Sequence, residues 1–97
     1  MTIACKIFRG KAVLLAACDR ELLGRTLKHG EADFEIKESF YFEKFVGPDE
    51  LKSLLKEAQI ANLVGERAFA CSIELGLVNR NNIKLIDGVS HVQVYRL

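Results

Sequence analysis

The stretch Ile83-Lys84-Leu85-Ile86-Asp87-Gly88-Val89-Ser90-His91-Val92-Gln93-Val94-Tyr95 sets an Asp-Gly pair between two runs rich in branched residues. Asp-Gly supplies the two positive-φ positions of a type I′ turn, so the stretch reads as a β-hairpin with strands over 83–86 and 89–97. With Asp87-Gly88 as the loop, Ile86 faces Val89, Leu85 faces Ser90, Lys84 faces His91 and Ile83 faces Val92. Side chains alternate across a strand, which predicts a core face of Ile83, Leu85, Val92 and Val94. The opposite face then carries Lys84, His91, Gln93 and Tyr95. Together these are a candidate platform for single-stranded RNA: a Tyr ring stacks a base, a Gln amide reads a base edge and a Lys meets phosphate. An ordinary solvated sheet face has the same composition.

Working back along the chain, residues 3–8 alternate, with Ile3, Cys5 and Ile7 on one side and Ala4, Lys6 and Phe8 on the other. After an Arg9-Gly10-Lys11 turn, residues 12–18 are apolar on both faces, as in a strand covered on both sides. Asp19 is placed to cap one or two helical turns, with Gly24 as the stop. Residues 25–27 extend, 28–30 turn, and 32–37 alternate as a third strand with Phe34 and Ile36 inward. Residues 39–46 hold Phe40, Tyr41, Phe42 and Phe45, four of the chain's eight aromatic residues, without a clear period; they suit an edge strand or an aromatic loop.

Pro48, Asp49 and Glu50 mark a helix start, and Leu51, Leu54, Leu55 and Ala58 give it one apolar stripe. A second helix is expected from an Asn62 cap to Leu75, with Gly76 after it and a ridge of Val64, Ala68, Cys71 and Leu75. The order of elements predicts one α+β domain over 1–97. Its mostly antiparallel sheet is built from N- and C-terminal hairpins plus a middle strand, with two main helices packed on it.

Size and charge narrow the function classes. Ninety-seven residues and 10.9 kDa correspond to a folded surface of about 5,600 Å² against about 15,800 Å² unfolded, enough burial to fold without disulfides or a structural metal. Fourteen basic and thirteen acidic residues give a net charge of +1, so any nucleic-acid binding must use a local patch. No apolar run approaches the roughly 18 residues of a membrane span, no secretory signal is visible, and no membrane partner is expected. Cys5, Cys18 and Cys71 lie in apolar stretches without metal-site spacing and read as buried reduced thiols, which implies a cytoplasmic protein.

Other candidate surfaces are less sharply drawn. Arg9, Lys11, Arg25, Lys28 and His29 lie at turns and would converge on phosphate if those turns share one end of the sheet; Arg25 and Lys28 are the two expected to steer RNA phosphates. Asn62 and Gly65, at the expected second helix start, are a candidate anion site, since a helix N-terminus presents free N–H groups. The aromatic run from Phe40 to Phe45 is a candidate protein-interaction patch or homodimer contact, and its Phe40, Tyr41 and Phe42 are also candidates for stacking on bases. Nucleophile-elbow, P-loop, zincin and Cys-x-x-Cys motifs are absent from the sequence. No catalytic residue, metal or cofactor is expected.

Three segments carry a family resemblance: Ala16-Ala17-Cys18-Asp19-Arg20-Glu21-Leu22-Leu23-Gly24, Ile60-Ala61-Asn62-Leu63-Val64-Gly65-Glu66, and Gly88-Val89-Ser90-His91-Val92-Gln93. In this order and spacing the chain resembles, over essentially its whole length, a small archaeal family known as domain of unknown function 424. Ser90 departs from the Pro that the resemblance places before His91. The resemblance implies an archaeal cytosolic source and a translation-linked RNA-binding or ribosome-associated role without catalytic residues. The expected function is therefore a non-enzymatic RNA-binding accessory domain. The alternatives are a protein-interaction module at residues 40–45 and a small-molecule or phosphate binder at Asn62 and Gly65.

Overall fold

The alternation of the first residues produces the hairpin it predicts. Strands β1 (Ile3–Arg9) and β2 (Val13–Asp19) pair antiparallel, with Ile3 opposite Asp19 and Arg9 opposite Val13. The structure, a computed structural model, describes residues 1–96. Beyond a short 3-10 turn at Arg20–Leu22 lie β3 (Thr26–His29) and β4 (Ala32–Glu35), joined at Gly30. A single helical turn, α1 (Glu38–Tyr41), and an edge strand, β5 (Lys44–Val46), divide the aromatic segment between them. Helix α2 (Pro48–Glu57) begins at its proline as expected. Then come β6 (Ile60–Val64), α3 (Glu66–Glu74), β7 (Lys84–Ile86) and β8 (Val89–Tyr95). The last strand was expected to reach Leu97, which lies outside the described residues.

The main sheet has six strands in the order β5-β1-β2-β6-β8-β7. Among the described residues only the β2–β6 pairing is parallel; its return connection carries α1 and α2. The fold is thus α+β with a mostly antiparallel sheet, as the pattern of elements predicts. Each face of the sheet has its own core. On the first, Leu51 and Leu55 of α2 and Ala68, Phe69 and Cys71 of α3 pack over Ile3, Leu15, Leu63, Val92 and Val94. On the second, Leu22, Leu27, Ile36 and Tyr41 pack over Ala4, Ala16, Cys18 and Val64. Burial on both faces explains the unbroken apolar run of β2.

Several expectations are corrected. Asn62 does not cap a helix: residues 60–64, read partly as link and partly as helix, form β6, the strand in the middle of the sheet. Four apolar residues around Asn62, ending at a glycine, fit a buried strand as well as a capped helix start, and periodicity does not separate them. Strand β4, expected in the main sheet, pairs with β3 in a separate two-stranded sheet laid over the second face. The turn expected at residues 28–30 comes later, because Lys28 and His29 belong to β3.

The C-terminal hairpin keeps its expected register, Lys84 to His91, Leu85 to Ser90 and Ile86 to Val89, and Asp87 and Gly88 have φ of 54° and 76°. Leu85, expected in the core, is 60% exposed, because β7 is an edge strand that α2 and α3 do not reach; Ile86 is buried instead, under the β3–β4 cover.

Candidate functional site

Directly paired residues share a face, so the registers fix what the second face displays. Three rows cross it. The first is Ala4, Cys18, Val64, His91 and Lys84, the second Lys6, Ala16, Asn62 and Gln93, and the third Phe8, Leu14, Ile60 and Tyr95. The cover formed by β3, β4 and α1 buries Ala4, Cys18 and Val64 of the first row. Toward β8 the other two rows open to solvent, and Tyr95 is 65% exposed. Lys84, His91, Gln93 and Tyr95 therefore share one face, with Asn62 beside them.

Between this open half and the cover lies a cleft of about 520 Å³. Phe8, Phe34, Phe40 and Tyr41 wall it, and Asn62, His91 and Gln93 enter it from the sheet. Phe8 and Phe40 stack at 5.4 Å between centroids, Phe40 meets Tyr41 edge-on at 5.0 Å, and Phe34 lies 5.4 Å from the His91 ring. Lys6 Nζ sits 5.0 Å from the Phe8 centroid and donates to the Ser39 carbonyl. The polar groups form a relay. Tyr95 Oη donates to Gln93 Oε1 at 3.0 Å, and Gln93 Nε2 donates to Asn62 Oδ1 at 2.9 Å. Burial, helped by the Lys84 charge, holds His91 below the usual histidine value of 6.5, so its imidazole is largely neutral at pH 7.

Two expected clusters come apart. Lys28 donates its backbone N–H to the Asp87 carboxylate, and Arg25 donates its own to Leu22, which lies beside Gly88 and Val89, so both sit at the end of the sheet where β7 turns into β8. Arg9 and Lys11 lie at the other end, where β1 turns into β2 and Arg9 forks onto Glu57 at 2.7 and 2.9 Å. Strands of five to seven residues separate these ends by roughly 20 Å, so the five cations do not converge. Lys28 Nζ is further paired with Asp33 at 2.8 Å.

The expected anion site at Asn62 and Gly65 is also rearranged. Gly65, at φ 102°, joins β6 to α3, and the free N–H groups of that helix, Arg67 and Ala68, donate to the Asp19 carboxylate at 3.1 and 3.0 Å. Asp19, expected to cap its own turn, makes no side-chain cap there. The helix already has its anion. Burial lifts the Asp19 carboxyl above its ordinary range despite these N–H bonds.

The three cysteines are buried and free. Burial pushes the Cys5 thiol up to about 11 and the Cys18 thiol up to about 12, which keeps both protonated at neutral pH. Among the described residues no three His, Cys, Asp or Glu side chains are placed to hold a metal ion.

The aromatic segment is mostly turned inward. Tyr41 is buried, Phe40, Phe42 and Phe45 are half-buried against the second core, Phe42 and Phe45 pack at 4.8 Å, and the Arg20 guanidinium lies 4.0 Å over Phe45. Among the described residues the exposed large apolar side chains are Met1, Leu85 and Tyr95. Sequence reasoning singled out Phe40 and Tyr41 as candidate stacking residues but missed Phe8 and Phe34 as cleft walls. Alternation already set Lys6 and Phe8 on one face of β1, but nothing local says that α1 closes over that face.

A family model described as Protein of unknown function (DUF424) matches residues 8–97. The fold is similar to the crystal structure of an uncharacterized conserved protein from Methanopyrus kandleri, with 30% sequence identity and a TM-score of 0.82 over 100% of this chain and 96% of that one. No curated protein matches the chain. The three segments that carry the resemblance meet in space, since they run through β2, β6 and β8, which are adjacent strands.

Proposed function

The chain belongs to the DUF424 family, and for this member we propose binding of single-stranded RNA across the open half of the sheet and into the aromatic cleft, without catalysis. The observation that carries it is the clustering, on one uncovered face, of a stacking ring (Tyr95), two amides (Asn62 and Gln93) and a neutral imidazole (His91) beside three phenylalanines. Single-stranded RNA recognition needs this mixture: π-faces to receive unstacked bases and amides to read their edges. Lys84, exposed at the end of the His91 row and in no ion pair among the described residues, is the phosphate contact. With a net charge of only +1, affinity rests mainly on stacking, and the salt dependence is shallow.

The test is fluorescence anisotropy with short labelled single-stranded RNAs at several salt concentrations. Tyr95→Ala should weaken binding about 10-fold, since a stacked base contributes roughly 1–3 kcal/mol. Lys84→Ala should lower the salt slope by about one phosphate without changing base preference. A wild-type protein that binds no RNA pool at low salt would refute the proposal.

A further inference from the structure

The cleft contains a buried polar residue whose hydroxyl the fold itself does not use. Tyr41 is only 4% exposed, yet its hydroxyl makes no side-chain hydrogen bond to any described residue. Buried tyrosine hydroxyls normally find a partner. No polar side-chain atom among the described residues is both shut from solvent and unpartnered, so the Tyr41 hydroxyl keeps some contact with solvent, and Tyr41 is one of the residues that line the cleft. Asn62 lines the same cleft from the sheet; its side-chain oxygen accepts from Gln93, which leaves its amide nitrogen as the donor still to be used.

The walls are flat and apolar, and the lining carries one cation, Lys37, against one anion, Glu35. An anionic ligand such as a phosphate gains little from so balanced a lining; a neutral, planar, hydrogen-bonding ring gains from every part of it. The volume of about 520 Å³ falls in the range of small-ligand sites.

We propose that the cleft takes a single nucleobase, splayed out of its strand, whose edge hydrogen-bonds the Tyr41 hydroxyl and the Asn62 amide while its faces meet the phenylalanine walls. This rests on the RNA-binding reading and adds to it a specificity-determining residue. Burial pushes the Tyr41 phenol up to about 12, so the hydroxyl keeps its proton and serves as a neutral donor across the physiological range.

Tyr41→Phe removes the hydroxyl and keeps the ring. Binding of labelled U7, A7 and C7 RNAs is compared for wild type, Tyr41→Phe and Asn62→Ala, alongside urea melts of all three proteins. Because no protein partner is lost, Tyr41→Phe should melt at or above the wild-type midpoint. It should bind the preferred homopolymer about 3- to 10-fold more weakly, as expected for one lost hydrogen bond, and the other two with little change. Asn62→Ala should weaken the same homopolymer. Wild-type affinity and selectivity in a folded Tyr41→Phe protein would overturn the base-pocket assignment and leave RNA binding standing. A wild type that binds none of the three RNAs would overturn both.

Discussion

His91 stands at the centre of the account because its surroundings set its charge. Half-buried between Phe34 and Lys84, it is held below the usual value of 6.5, burial being the larger cause. An unfolded chain binds this proton more readily than the folded one. The contribution to stability is therefore complete above about pH 6.5 and is lost as the pH falls from there toward the folded-state value. Urea melts at pH 7.5 and 5.5 should show wild type losing stability on acidification, by no more than the roughly 1.4 kcal/mol per pH unit that one proton allows. His91→Phe, which keeps a ring against Phe34, should lose less over the same interval. Equal losses in the two proteins would mean that the imidazole titrates as if in water. The pairing of His91 with Lys84 was legible in the sequence, because an Asp-Gly turn fixes register. Its contact with Phe34 was not, because that depends on a second sheet folding over the first.

At the level of elements, the junction between β6 and α3 shows where local sequence reasoning stops. Residues 60–64, apolar except for Asn62, run into Gly65 and a helix, a pattern shared by a buried parallel strand and the first turn of a helix behind an Asn cap. Tertiary context decides between them. Cys18 pairs with Val64, and the neighbouring Asp19 carboxylate then lies against the first N–H groups of α3. Such closeness leaves no room for a side chain at residue 65, where a β-carbon would stand 2.6 Å from Asp19 Oδ1 at a φ of 102° that only glycine adopts readily. Gly65→Ala should therefore cost about 3 kcal/mol or more, read as a fall in the urea midpoint at unchanged slope. A loss below about 1 kcal/mol would show that the junction is looser than described. The other elements were written more plainly. Alternation gave β1 and β8, Pro48 with its two acids gave α2, and Asp87-Gly88 gave the β7–β8 turn.

For the whole molecule, the solvent-accessible surface of 5604 Å² equals what mass alone predicts for a folded monomer. What distinguishes the molecule is how its cover is distributed. Helices α2 and α3 close one face of the six-stranded sheet, whereas β3, β4 and α1 close only part of the other. Among the described residues no helix is long and apolar enough to cross a membrane. The uncovered remainder carries the rings and amides, so the binding surface exists because the second layer is incomplete. Four of its side chains were visible in the sequence as one face of a hairpin. Phe8, Phe34 and Tyr41 come from three other elements and meet them only once the sheet order is set. The most direct measurement is an NMR titration of the 15N-labelled protein with an unlabelled single-stranded RNA that it binds. The account predicts shifts concentrated at Tyr41, Asn62, His91, Gln93 and Tyr95, with α2 and α3 unmoved. Shifts centred on α2 and α3, or none at saturating RNA, would contradict it.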